Sequence, residues 1–325
     1  PPVRRASWRS PAGGWRLEAC CGGECRARGL QEMRYEVTQT GQEDKLKAFL
    51  CWLEDEDATV HPHLQVATVP QSRRDQIAAN GASTPCAGLR GVVAVGPIAK
   101  DEVLVNIPDD LVLMSHNSSI GEELLQLGFP DPLDDPCKGQ RKREVRLNQE
   151  ALVMAVMAEA RLGQHSRWGP YLAVLPALGG NEESYQQHLP LLWTYKQLQW
   201  LKGTSCKRKL DGVAHREAEL PALVEDMRKE FVEPFFRDWP PPGSKADKRS
   251  LVEEHTHTSC LVCAYSFTLG DVEVPAMVPF WDFLNHRSPE KANVRLFHCE
   301  DSNTLQMIAT RNIAANEEVF NTYGP

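Results

Sequence analysis

The chain has 325 residues, 42% hydrophobic and 25% charged, enough for two domains or one large domain with an insertion. A net charge of −8 and a pI near 5.7 argue against a whole-protein basic surface for nucleic acid and suit a basic peptide partner. Its apolar runs, such as residues 151–158, fall far short of the roughly 18 residues that span a bilayer, so a soluble protein is expected.

Residues 1–41 begin with Pro rather than Met, so the sequence reads as a piece of a longer protein. They are rich in Arg, carry scattered Gly and Pro and show no apolar periodicity, which predicts a disordered tail. A transit peptide is the other reading of an Arg-rich start, but the two Glu within residues 1–30 and the Cys20-Cys21 pair oppose it. A helix follows from about Gln42, with Leu46, Phe49, Leu50 and Leu53 on one face. Residues 55–85 are polar, contain Pro62, Pro70 and Gly81, and read as loop.

Strand patterns then begin at 91–95 and 101–107, broken by Gly96-Pro97 and Pro108, with a third candidate at 111–114. Their close spacing predicts an antiparallel meander. The middle of the sequence is helical. Residues 147–162 (LNQEALVMAVMAEARL) are apolar on most faces and predict a buried helix. Residues 168–176 (WGPYLAVLP) read as an aromatic, Pro-bounded connector, 191–201 and 214–236 as further helices, 239–243 as a linker, and 251–267 as another helix. Strands return at 294–297 and 305–308, joined by the polar turn 300–303 as a hairpin, and at 317–323.

Three chemical groups stand at the ends of apolar segments. The run Pro279-Phe280-Trp281-Asp282-Phe283-Leu284 ends in Asn285 and His286, an amide with one acceptor and two donors beside an imidazole. The last strand ends in Tyr323, with Gly324 just past it. Taken alone, Asn285 and His286 equally fit a turn amide and a satisfied structural His, and Tyr323 fits a packed phenol. His255-Thr256-His257 and Cys260-Leu261-Val262-Cys263 have metal-pair spacing, the basis for a zinc-dependent interaction module. Leu261 and Val262 favour packed thiols on one buried helix face instead, and no metal is assigned. The ten cysteines are scattered and read as reduced thiols. Arg141-Lys142-Arg143, with Lys138 and Arg146, fits a solvated helix start or a nuclear-import signal.

Six motifs, in order and at compatible spacing over about residues 42–325, carry a family resemblance. They are Gly88-Leu89-Arg90-Gly91-Val92-Val93-Ala94, Trp168-Gly169-Pro170-Tyr171-Leu172, Leu201-Lys202-Gly203-Thr204, Ala264-Tyr265-Ser266-Phe267, Leu284-Asn285-His286 and Phe320-Asn321-Thr322-Tyr323-Gly324. Together they resemble SET-domain protein lysine methyltransferases of the Rubisco large-subunit methyltransferase-like branch. His116-Asn117-Ser118-Ser119-Ile120-Gly121 narrows the likeness to one subgroup of it.

The resemblance implies an α+β SET-type fold of short antiparallel strands split by a helical insert. Residues 42–130 and 251–325 would form the two parts of the SET domain, and 131–250 the insert. It implies methyl transfer from S-adenosyl-L-methionine to a lysine side chain of a protein, with Tyr323 as the catalytic residue. Gly88, Leu89, Arg90, Tyr265, Asn285, His286 and Tyr323 would bind the cofactor, and Gln149, Ser266 and Thr268 the substrate. The sequence departs from the family pattern at Leu89, where a second Gly is common, and at Tyr265, where other members carry an Arg able to meet a carboxylate. The implied partner is a lysine-containing protein of the transcription-factor or histone class. The implied enzyme is a monomer in the nucleus, with the cytoplasm second. The family continues past the Tyr strand into a closing segment and a substrate-binding helical domain, so the resemblance implies a truncation at the C-terminus. A catalytically silent SET-like interaction module is therefore the other reading.

Overall fold

Phe49 and Leu53 enter the core from α1 (Thr40–Asp55), flanked by the partly buried Leu46 and Leu50, as their helical spacing predicts. The computed structural model describes residues 40–68, 90–131, 141–175, 190, 193–210, 226–237, 239, 250–269 and 274–323. The expected tail up to residue 39, Gly88 and Leu89, residues 214–225 and most of the 239–243 linker lie outside them.

Two strands, β1 (Thr59–Val60) and β2 (Leu64–Thr68), occupy the stretch expected to be loop. Pairing corrects that reading: β2 runs antiparallel to β3 (Arg90–Ala94) over five residue pairs, from Leu64 opposite Ala94 to Thr68 opposite Arg90. Leu64, Val66 and Thr68 alternate along β2, and pairing with β3 makes a strand of them although the stretch around them is polar and broken by Pro62 and Pro70. The meander is corrected too. β3 and β4 (Val103–Pro108) lie in different sheets, ordered β1-β4-β9-β8 and β2-β3-β10-β7. Residues 111–114 make a 3₁₀ turn at Asp109–Leu111 and a single bridge from Leu113 to Met277, not a strand.

The short α2 (Gly121–Gln126) precedes the long α3 (Arg141–Leu162), whose residues 151–158 are all buried. The predicted connector is a helix, α4 (Gly169–Val174). Pro170 falls in its first turn, where a missing N–H costs nothing, and Trp168 anchors it by donating Nε1 to Leu111 O at 2.8 Å. The helix expected at 191–201 is shorter, α5 (Tyr195–Leu198) with a Thr194/Gln197 capping box and a 3₁₀ extension, followed by α6 (Ser205–Leu210). A π-helical turn at Arg228–Val232 leads into α7 (Glu233–Phe236). Ser250 and Glu253 box the start of α8 (Leu251–Tyr265). It stops two residues before the expected end, and β5 (Phe267–Leu269) with β6 (Val274–Ala276) form a hairpin. β7 (Asn285–His286), the hairpin strands β8 (Val294–Cys299) and β9 (Thr304–Ala309), and β10 (Glu318–Asn321) complete the sheets.

Helices α3 and α8 are joined by polar contacts inside the core. Arg161 donates Nε to Glu254 Oε1 at 2.7 Å and Nη2 to Oε2, and its Nη1 donates to Trp239 O at 2.6 Å. His255 Nε2 meets Glu150 Oε1 at 2.6 Å. Removing one partner of a buried pair leaves an uncompensated charge, a cost of about 3–5 kcal/mol. Arg161→Ala should lower the unfolding free energy by about that amount in urea titration, whereas Arg161→Met with Glu254→Leu should recover most of it. A loss below about 1 kcal/mol from Arg161→Ala would place the pair among weak surface bridges and contradict its burial.

Candidate active site

The site is built around the turn that precedes β7. Phe280 is buried with φ of 74°, a left-handed conformation that a bulky residue adopts only under constraint. Its ring packs at 5.6 Å on Phe283, which meets Phe49 of α1 edge-on at 5.4 Å. Trp281 lies edge-on to Phe267 of β5 at 5.5 Å. The 3₁₀ turn Trp281–Phe283 thus buries both aromatics and holds Asp282 between them. Asp282 Oδ2 accepts from Tyr171 of α4 at 3.5 Å, and Oδ1 is sealed from solvent without a hydrogen-bond partner. Desolvation pushes this carboxyl up to about 7 even though the positive charge of Arg90 opposes the shift.

β7 pairs in parallel with β10, Asn285 opposite Phe320 and His286 opposite Asn321. Asn285 donates Nδ2 to Arg90 O at 3.2 Å and to Glu318 Oε1 at 2.7 Å, tying β7 to β3 and β10. Buried Asn293 fastens the same corner. Its Nδ2 donates to Glu318 O, and its Oδ1 accepts from Phe320 N at 2.7 Å.

Tyr323 follows β10. Its backbone N–H donates to His286 Nδ1 at 3.1 Å, which makes that ring nitrogen the acceptor, and the two rings lie 5.1 Å apart. Its hydroxyl donates to Leu284 O at 2.5 Å. The residue is 63% exposed, yet its phenol oxygen turns inward. Desolvation, then the negative potential of Tyr265 and Asp282, push the phenol up to about 12. Tyr265, at the end of α8, is raised to about 12 by desolvation and Asp282. Burial drives Tyr171 well above its ordinary value.

The structure therefore brings Arg90, Tyr265, Asn285, His286 and Tyr323 together. Gln149, Ser266 and Thr268 sit on adjoining segments. Gln149 on α3 donates Nε2 to Cys263 Sγ at 2.9 Å, Ser266 caps α8 by donating its N–H to Val262 O, and exposed Thr268 stands in β5 opposite Pro275. Cys260 is buried while Cys263 is exposed, so the two thiols are not both packed as expected; their three-residue spacing keeps them neighbours on one side of the helix, with Cys263 at the edge of the buried face. His255 is engaged by Glu150. Asp282 and Tyr171 lie inside segments that carry the motifs, yet pattern alone gave neither a role. The available signal was a lone acid inside the apolar run 279–284.

Residues 89–324 match the SET-domain family profile. Human N-lysine methyltransferase SETD6 is 30% identical over 246 residues, 72% of this chain and 45% of its own length. Actin-histidine N-methyltransferase of Drosophila melanogaster is 24% identical over 302 residues, 86% of this chain and 46% of its own length. The protein thus spans about half the length of these relatives. The SET domain of LSMT bound to lysine and AdoHcy superposes with a TM-score of 0.57 at 16% identity, covering 87% of this chain and 54% of that one. Rubisco LSMT bound to AdoMet superposes with a TM-score of 0.56, also at 16% identity, covering 86% of this chain and 53% of that one. With its family match running from the first residues of β3 to the end of the Tyr323 segment, and with the SET fold around it, the chain belongs to the SET-domain family.

Proposed function

We propose that the chain is the SET portion of a protein-lysine N-methyltransferase that uses S-adenosyl-L-methionine. The observation that carries this reading is the Tyr323 hydroxyl seated on the Leu284 carbonyl, one residue before Asn285-His286 and beside the buried Asp282. Support comes from the relatives named N-lysine methyltransferase and from the fold shared with LSMT bound to lysine and AdoHcy.

The residues fit a cationic cofactor. Asp282 Oδ1 is a buried oxygen with no donor, and three phenols, Tyr171, Tyr265 and Tyr323, share its surroundings. Arg90, Tyr265, Asn285, His286 and Tyr323 would hold the cofactor, with Gly88 and Leu89 just before β3. Gln149, Ser266 and Thr268 would line the substrate side. When bound, the cofactor supplies an electrophilic methyl group on a sulfonium sulfur.

Everything else falls to the protein. A lysine ammonium, with pKa about 10.4, has no lone pair, so the site must favour the amine by desolvation. Tyr323, raised to about 12, stays a neutral phenol at physiological pH and is no general base. Its O–H is committed to Leu284 O, which leaves the phenol oxygen free to accept an N–H and aim the amine's lone pair. The ammonium gives up its proton to solvent as its side chain enters the desolvated site.

The proposed partner is a lysine-bearing segment of a transcription-factor or histone class protein, bound by a monomer in the nucleus, with the cytoplasm second. The net charge of −8 suits such a basic segment.

Intact-mass analysis with S-adenosylmethionine and a lysine-rich protein should show methyl addition, and fragment spectra should place it on lysine. Tyr323→Phe should slow transfer by about 10²-fold or more, as loss of a positioned polar group does. Equal activity of that variant, or methyl-histidine as product, would overturn the reading.

Asp282 supplies a pH test. Its carboxyl rises from 3.8 to about 7 on folding, so between roughly pH 4 and 7 the unfolded state releases a proton that the folded state keeps. This carboxyl therefore favours folding below pH 4, and that contribution is lost as pH rises to 7. Asp282→Asn should stabilise the protein relative to wild type by roughly 2–4 kcal/mol at pH 7.5 and by little at pH 4, read from denaturant titrations at both pH values.

A further inference from the structure

Residues 193–210, which hold α5 and α6, carry five Lys or Arg and no Asp or Glu. The whole chain has a net charge of −8, so with +5 on this segment the rest of it carries −13. The same segment displays aromatic rings. Tyr195 is 80% exposed and Trp200 72%, the highest values among the exposed large apolar side chains of the described residues. Trp193 braces Trp200 edge-on, with ring centroids 6.2 Å apart. Lys196, Lys202 and Arg208 are exposed, and the ion pairs of the described residues leave them without an acid. An exposed apolar side chain standing singly is ordinary on a protein surface. Exposed Trp and Tyr among unopposed cations on one short segment have the composition of an interface.

The segment is held in shape from within. Thr194 and Gln197 box the start of α5, and Lys202 N donates to Gln199 O at 3.1 Å. Thr204 donates Oγ1 to Leu201 O at 2.7 Å and accepts from Lys207 N at 3.2 Å. Gly203, with φ of 85°, turns the chain between α5 and α6. A surface ordered in advance loses little entropy on binding. Its ammonium, guanidinium and indole groups donate hydrogen bonds and accept none, and the Tyr195 phenol can donate too. The complement is therefore rich in acceptors and negative charge. Carboxylates supply both, and apolar side chains between them would cover Tyr195 and Trp200. A long polyanion would also meet the −13 carried elsewhere, whereas a short acidic segment meets this strip alone. We infer that residues 193–210 form a docking surface for an acidic segment of a partner protein. Its carboxylates face Lys196, Lys202 and Arg208, and its apolar side chains lie over Tyr195 and Trp200. This surface stands independently of methyl transfer.

Fluorescence anisotropy with a labelled peptide of Glu and Leu tests it, beside a Gln and Leu peptide of the same length and an oligothymidylate of the same charge. Wild type should bind the acidic peptide, lose affinity as salt rises, and bind the Gln peptide far more weakly. Lys196→Glu combined with Lys202→Glu should weaken the acidic peptide by about tenfold or more, because two attractive pairs become repulsive. Trp200→Ala and Tyr195→Ala should each weaken it by about 5–10-fold, the scale of truncating an interface aromatic, and Trp200→Phe by less. All these side chains are exposed, so the variants should unfold at the wild-type temperature, and Tyr195→Ala touches the surface alone. Equal binding of the Glu and Gln peptides, no binding of either, or undiminished binding by the charge-reversed and aromatic variants overturns the inference. Tighter binding of the oligothymidylate overturns it in favour of a nucleic acid.

Discussion

The parallel pairing of β7 with β10 is the constraint on which the site depends. Parallel strands cannot be joined by a tight turn and need a long crossover. The β8–β9 hairpin occupies that crossover, and Asn293 ties its start to Glu318 O and Phe320 N. The consequence is that residues more than thirty positions apart become neighbours. Tyr323 N–H finds His286, and the Tyr323 hydroxyl finds the Leu284 carbonyl. A slip of one residue in the register would place Asn285 on the opposite face and separate its amide from Arg90 O.

The protein treats its buried charges in two ways. Between α3 and α8, Arg161 and Glu254 close on each other, and the pair holds two helices in place. At the site, Arg90 and Asp282 lie within electrostatic reach and stay apart, and the cost shows as a carboxyl raised to about 7 and an arginine whose basicity burial lowers. A closed pair needs nothing further. An open pair leaves Asp282 Oδ1 without a hydrogen bond among the described residues, and the raised carboxyl carries that cost.

Local pattern was legible where one segment decides its own fate. Phe49 and Leu53 announced α1, the unbroken apolar run 151–158 announced a buried α3, and the polar turn 300–303 announced a hairpin. Where a partner decides, the sequence misled. The segment 64–68 looked like loop because nothing in it records the five residue pairs it makes with β3. The β3–β4 meander failed for the same reason, since sheet order is a property of long-range pairing. The site was legible through its motifs at Asn285, His286 and Tyr323, which family likeness singled out. Asp282 and Tyr171 were not, because their importance lies in a contact across more than one hundred residues and in the burial it creates.

The turn before β7 explains why that burial is reached at all. A left-handed Phe costs of order 1–3 kcal/mol and persists only where its surroundings over-determine it. A relaxed Phe280 would start the 3₁₀ turn in a different direction, and Trp281 and Phe283 could not both enter the core. The aromatic packing on Phe49 and Phe267 therefore holds the strain, and the strain in turn fixes Asp282 between two rings, where water cannot stabilise its charge. Leu284 follows directly, so the carbonyl that receives the Tyr323 hydroxyl is set by the same turn. On the proposed reading, the buried acid behind the site and the carbonyl that aims the phenol are thus positioned by a single backbone distortion, and their spacing cannot be changed independently.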